Sequence, residues 1–153
     1  MAEPGRVLAV DYGARRTGLA ISDPLGIAAH PLPPVDSRDL QETVQAIVRL
    51  VQEREVRRVL VGMPYLRDGR EGEAAARTRL FLSALGPALP AGVGLETWDE
   101  RFTTAAAEQL LREAGLRRRD FQEALDSVAA VVILREYLAG GSPFEPPGSG
   151  PPG

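Results

Sequence analysis

The spacing of apolar residues changes near residue 37, and that change restricts the folds open to this chain more than any other feature. Before it come two short apolar runs, Arg6-Val7-Leu8-Ala9-Val10-Asp11 and Thr17-Gly18-Leu19-Ala20-Ile21-Ser22. Only Tyr12 to Arg16 separate them, too few residues for a helical crossover, so the runs pair as an antiparallel hairpin. Gly26 to Val35 supplies a third strand. Pro31, Pro33 and Pro34 confine it to an edge, because proline has no N–H to give to a ladder. From there the period becomes helical: Leu40, Val44, Ile47, Val48 and Val51 share one face, with Ser37 or Asp39 as N-cap.

The rest of the chain alternates between the two patterns. Val56 to Gly62 contains the continuous run Val59-Leu60-Val61, as expected of a strand covered on both faces, and Met63-Pro64 stops it. Tyr65 to Gly72, polar and glycine-containing, reads as a mobile loop leading into a helix over Glu73 to Leu85. Gly86, Pro87 and Pro90 break that helix, and Val93 to Trp98 forms the next strand. Thr103 or Thr104 caps a helix carrying Ala107, Leu110, Leu111 and Ala114, which Gly115 ends. Arg117-Arg118-Arg119 is a basic turn, and a last helix runs from Phe121 to Leu138. The order β-β-β-α-β-α-β-α-α specifies an α/β fold over residues 1–139, a mixed five-stranded sheet flanked by helices on both faces. The Gly/Pro-rich tail, 140–153, cannot bury a core and is expected to be disordered.

Composition narrows the chemistry. The chain of 153 residues has no cysteine and one histidine, His30, which excludes a thiol nucleophile, disulfides, a cysteine-type zinc cluster and a three-histidine zinc site. His30, in the proline-rich edge segment, reads as a surface residue. No apolar run reaches membrane-spanning length and no signal segment is evident, so the expected location is cytoplasmic. All 18 basic residues are Arg. Its planar fork suits phosphate, although a compositional or thermal bias of the source explains the same fact. The net charge of −3 argues, on its own, against a nucleic-acid partner.

Three acidic positions stand out. Asp11 ends the first run and precedes Tyr12-Gly13, with Gly18 five residues past Gly13. An acid at a strand end beside a glycine suits a hard cation, and the same Asp-x-Gly is also an ordinary turn. Asp99 and Glu100 stand at the end of the last strand, in Trp98-Asp99-Glu100-Arg101-Phe102-Thr103-Thr104. Neighbouring strand residues face opposite sides, so at most one of these acids shares a face with Asp11, and the other can pair with Arg101. A capped helix N-terminus is the alternative. Trp98 could stack on a base, but a strand tryptophan is more often core. Asp126 interrupts the apolar segment Leu125-Asp126-Ser127-Val128-Ala129-Ala130, where a carboxylate is costly unless paired, metal-bound or at a helix start. Three carboxylates brought to one sheet edge would select Mg²⁺ or Mn²⁺ over zinc. Two such ions can hydrolyse a phosphodiester without cysteine or histidine.

The segments Val10-Asp11-Tyr12-Gly13, Gly18-Leu19-Ala20, Val61-Gly62-Met63-Pro64, Asp99 to Thr104 and Asp126 to Ala130 together resemble the YqgF family across residues 5 to 139. The Asp-Glu-Arg-x-Thr-Thr element is the most specific part. Members are described as Holliday junction resolvases and as pre-16S ribosomal RNA nucleases with an RNase H-like fold. The resemblance implies Asp11, Glu100 and Asp126 as catalytic metal ligands for two Mg²⁺ or Mn²⁺ ions, with Asp99 in reserve for Glu100. It makes Gly13 and Gly18 shape the turn, Gly62-Met63-Pro64 line the cleft, and Arg101, Thr103 and Thr104 orient the acids or contact phosphate. Arg15 and Arg16, in the turn after Asp11, are the expected backbone clamps. One departure is evident: family members often place basic residues just before the last Asp, whereas Gln122-Glu123-Ala124-Leu125 stand here. Glu123 shares a helix face with Asp126 and could serve as an outer ligand.

The implied function is a metal-dependent endonuclease for structured nucleic acid, with pre-16S ribosomal RNA 5′-end processing in ribosome biogenesis ahead of Holliday junction resolution. A non-catalytic nucleic-acid-binding module and an actin-like ATP-binding protein are the other readings. The implied partners are pre-rRNA or branched DNA and ribosomal precursor particles, with the chain a monomer or homodimer. Two divalent ions would move the formal charge from −3 to about +1, so global acidity is no obstacle to a phosphate substrate.

Overall fold

A computed structural model of the chain describes residues 5–102, 109 and 118–140, with the backbone alone for 102 and 118–126. Its elements are β1 (Arg6–Asp11), β2 (Arg16–Ser22), β3 (Ala29–Asp36), α1 (Leu40–Glu53), β4 (Val56–Met63), α2 (Glu73–Ala88), β5 (Gly94–Asp99), a 3₁₀ turn (Glu100–Phe102) and α3 (Arg118–Leu138). The strands form one sheet in the order β3-β2-β1-β4-β5. The hairpin-linked pairs β1/β2 and β2/β3 are antiparallel, whereas β1/β4 and β4/β5 are parallel. This is the mixed five-stranded sheet that the change of period predicts.

Strand alternation sorts the core into two layers. Leu8, Val10, Leu19, Ile21, Val59 and Val61 meet Val44, Ile47 and Val51 of α1 and Phe81 and Leu85 of α2. On the opposite face, Val7, Ala9, Ala20, Leu60 and Trp98 meet Ala130, Ile133 and Leu134 of α3. Alanines on both sides of this second layer allow α3 to approach the sheet closely. Asp11 follows Ala9 in alternation, so it belongs to the α3 face, and its neighbour Tyr12 belongs to the other. Tyr12 stacks on the fully buried Phe81 with ring centroids 4.4 Å apart and an interplanar angle of 11°.

The α1 N-cap is Asp39, whose Oδ1 accepts from Gln41 N at 2.9 Å and Glu42 N at 3.4 Å. Ser37 supports it by accepting the Asp39 N–H at 3.0 Å. Other boundaries shift from the sequence expectation. β3 starts at Ala29 because Asp23 to Ala28 close a turn, with Asp23 Oδ1 accepting Ile27 N at 2.6 Å and Gly26 at φ +73°. The strand pairs with β2 alone, and the register slips between Thr17 and Leu19, beside Pro33 and Pro34.

Helix α2 continues to Ala88, with Pro87 inside it. Gly86 has no Cβ to clash with the Pro87 ring, which removes the usual obstacle to a helical residue before proline. The helix ends at Leu89, extended before Pro90 at φ −70° and ψ 144°. Helix α3 begins at Arg118, so Arg118 and Arg119 belong to its first turn rather than to a basic turn. The expected helix after Thr103, Arg117 and the tail beyond Gly140 lie outside the described residues.

Phe81 joins the α1/α2 layer to the turn that follows Asp11. Its replacement by Ala is expected to cost about 3–5 kcal/mol, read as a lowered urea midpoint at unchanged slope.

Candidate active site

The parallel strands β1, β4 and β5 all end at the same edge of the sheet, with Val10 opposite Val61 and Met63 opposite Asp99. β4 lies between the other two. With neighbouring strands ~4.8 Å apart, side chains from β1 and β5 must bridge roughly 10 Å to meet. Gly62 makes that possible. Glu100, at the start of the 3₁₀ turn, lays its side chain across β4 at this glycine, and a methyl group there would overlap the carboxylate. Glu100 thereby shares a hydrogen bond with Asp11.

Burial disfavours the charged form of both acids. Desolvation raises the Asp11 pKa, opposed by the hydrogen bond from Glu100. Glu100 is pushed up to about 9, first by desolvation, then by the charge and hydrogen bond of Asp11 and the charge of Asp99. Glu100 therefore keeps its proton at neutral pH, beside Asp11, with which it shares the hydrogen bond.

Asp99 has a different partner. It is 4% exposed, and its two oxygens accept from Arg101 N at 2.9 Å, Nε at 3.1 Å and Nη2 at 2.7 Å. Strand alternation predicts that the adjacent acids diverge, and they do: Glu100 joins Asp11, and Asp99 joins Arg101. The Arg101 guanidinium also sits 5.8 Å from the Tyr65 ring centroid and beside Gly69. These last contacts involve the segment Tyr65 to Gly72, which the sequence presents as a mobile loop. The structure gives it internal bonds, Leu66 N to Arg70 O and Gly69 N to Leu66 O, both at 2.8 Å. Arg70 Nε additionally pairs with Asp68 at 2.6 Å.

The remaining expected residues are distributed around this pair. Gly18 is the ladder partner of Asp11. Gly13 closes the turn after β1, where the Arg16 carbonyl occupies the space a side chain would need. Arg15 is exposed in the same turn, and Arg16 reaches across to Asp36 at 3.8 Å. Trp98 belongs to the core, edge-on to Tyr137 with centroids 6.1 Å apart, and His30 lies exposed on the edge strand. Asp126 stands in α3 immediately before the buried Ser127. The side chains of Asp126 and Glu123, and Thr103 and Thr104 altogether, lie outside the described residues. Among the described residues, no three His, Asp or Glu side chains converge on one point.

Ser127 was not singled out by its sequence context, in which it is one small residue among several. Its hydroxyl bonds both the β2 and β3 backbones, accepting from Leu19 N at 3.2 Å and donating to Leu32 O at 3.0 Å. The sequence signal for it was slight: a hydroxyl beside an acid in an otherwise apolar helix.

The chain is similar to several known proteins. A family model described as RuvX, Holliday junction resolvase, matches residues 5–140. A Chloroflexus aggregans protein named "Putative pre-16S rRNA nuclease" is 42% identical over 132 residues, covering 86% of this chain and 92% of that protein. A protein of the same name from Chromobacterium violaceum is 40% identical over 145 residues, covering 93% and 98%. Thermus thermophilus RuvC in complex with a Holliday junction substrate superposes with a TM-score of 0.52 at 17% identity, over 92% of this chain and 99% of that one. The fowlpox virus Holliday junction resolvase gives 0.54 at 12% identity, over 88% and 99%. At these identities the two structures establish a common fold, the RNase H-like one.

The carboxylate pair links stability to pH. The folded chain keeps a proton on Glu100 that the unfolded chain releases, between the ordinary value of 4.5 and about 9, so stability falls as pH rises through that interval. In the presence of a chelator, the urea midpoint is expected to drop from pH 6 to pH 9. Glu100→Gln should flatten the profile and exceed the parent in stability at pH 9.

Proposed function

The chain belongs to the RuvX (YqgF) family, a family of nucleases, and from that premise we propose that it is a Mg²⁺- or Mn²⁺-dependent endonuclease acting on the 5′ end of precursor 16S ribosomal RNA. The observation that carries the metal-dependent chemistry is the half-buried Asp11–Glu100 pair across Gly62. Two carboxylates set against each other away from water destabilise the fold unless a proton or a cation lies between them. The donors are all oxygens, the set that hard divalent ions prefer, so the residues present fit such ions. Asp11, Glu100 and Asp126 would hold them, while the Asp99 oxygens are engaged by Arg101.

Bound there, divalent ions would supply Lewis-acid polarisation of the phosphodiester and activation of the attacking water. The chain's own side chains do the rest. Glu100 gives up its proton so that both carboxylates become donors. Asp99 fixes Arg101, whose guanidinium stays beside the Tyr65 to Gly72 loop, where it would face substrate phosphate as well as Asp99. Gly13 keeps the turn after Asp11 tight, its missing side chain giving room to the Arg16 carbonyl, and Gly18 holds the ladder position opposite Asp11. Exposed Arg15, with Arg16 next to it and Thr103 and Thr104 after the 3₁₀ turn, completes the proposed phosphate contacts. RNA is preferred as substrate on the names of relatives about 40% identical over most of the chain.

The decisive assay sets a precursor 16S ribosomal RNA fragment carrying its 5′ leader beside a four-way DNA junction, each with Mn²⁺. The RNA should be cut and a chelator should stop the reaction. Asp11→Asn, Glu100→Gln and Asp126→Asn should each lose at least about a hundredfold in rate. Cutting of the junction alone would instead select the resolvase activity, and full activity in all three variants would refute the site. Gly62→Ala offers an independent check. The flexible Glu100 side chain can swing away from the added methyl, so the thermal midpoint should move little while cleavage is lost with the displaced carboxylate.

A further inference from the structure

Helix α3 packs on the sheet face to which Asp11 belongs, and most of its described contact there is apolar, through Ala130, Ile133 and Leu134. Apolar contacts alone hold a helix loosely against sliding. One residue of slide would translate it by about 1.5 Å and turn it by about 100°, carrying every side chain to a different place. Ser127 supplies a directional contact. It is fully buried, and its Oγ accepts the Leu19 N–H at 3.2 Å while donating to the Leu32 carbonyl at 3.0 Å.

Leu19 and Leu32 are partners across the β2/β3 ladder, at the point where the register slips beside Pro33 and Pro34. A slip of this kind interrupts regular pairing and leaves backbone groups in need of another partner. The Ser127 hydroxyl answers both strands at once, so α3 is tied to one position along the hairpin. Leu19 adjoins Gly18, the ladder partner of Asp11, and Asp126 immediately precedes Ser127. The same hydroxyl therefore links the backbone position of residue 126 to the strand pair that carries Asp11.

We infer that Ser127 is a positioning residue: by pinning α3 to the β2/β3 step, it fixes where Asp126 stands relative to Asp11 and Glu100. The inference rests on the proposal that Asp126 is a metal ligand. It adds a residue that touches neither metal nor substrate, and it assigns a use to the irregularity of the edge strand.

The test compares the parent with Ser127→Ala, Ser127→Thr and Asp126→Asn by two readouts. One is the Mn²⁺ concentration at half-maximal thermal stabilisation, and the other is hydrogen exchange of the Leu19 amide in a chelator. Ser127→Ala should speed Leu19 exchange and raise the Mn²⁺ midpoint about tenfold, the loss typical when support for a metal ligand is removed. Ser127→Thr, which keeps the hydroxyl, should restore both. If Ser127→Ala does not fold, Ser127→Cys, of nearly the same size with a weaker hydrogen-bonding group, serves in its place. A lowered melting temperature in chelator with an unchanged Mn²⁺ midpoint would mark a purely structural hydroxyl and overturn the inference alone. No stabilisation of the parent by Mn²⁺, or an unaltered midpoint in Asp126→Asn, would overturn the metal assignment and this inference with it.

Discussion

Two carboxylates that share a hydrogen bond inside a protein need a bridging positive charge, and in this chain that requirement is met across the width of a strand. Asp11 and Glu100 belong to strand ends separated by β4, and only an absent side chain at Gly62 lets them meet. Everything around the pair serves to hold that arrangement. The parallel order β1-β4-β5 aligns the three strand ends. Phe81 fixes the residue after Asp11, and Arg101 fixes the residue before Glu100. The proton on Glu100 takes the place of a cation beside Asp11, which makes the fold sensitive to pH between the ordinary glutamate value and about 9.

The site also separates neighbouring residues into different tasks by strand alternation. Tyr12 is committed to the α1/α2 layer, leaving Asp11 on the α3 side. Asp99 is committed to Arg101, leaving Glu100 to cross β4. In both cases one member of an adjacent pair is immobilised in packing or in a charge-assisted contact, and the other is presented to the site. This rests on the period of two rather than on any particular fold, which explains why so short a motif as Asp-Glu-Arg carries so much of the geometry.

Sequence patterns reveal the architecture well because the strand runs and the α1 stripe are local signals. The mixed sheet, the edge position of β3 and the divergence of Asp99 from Glu100 follow from them. Which acid goes where does not, because the answer depends on Gly62, far away in the chain and visible only once β4 is seen between β1 and β5. Gly86-Pro87 reads as a helix stop by propensity, yet packing extends α2 through it where the missing Cβ removes the clash. The segment Tyr65 to Gly72 reads as mobile from its polar, glycine-containing composition, and the structure sets Arg101, from beyond β5, against its Tyr65 and Gly69. Ser127 is the least legible of all, since its role exists only where a helix meets a register slip between two other elements.

The edge strand has a further consequence for association. A sheet with an open margin invites another chain to add a strand through its free backbone donors and acceptors. In β3, Pro31 and Pro33 share one alternation parity and Pro34 has the other, so whichever set of backbone positions faces outward lacks a donor. Another polypeptide would find no unbroken row of hydrogen bonds along this margin. Any contact made there must be built from side chains, so the margin discourages indiscriminate polymerisation without closing the surface to a specific neighbour.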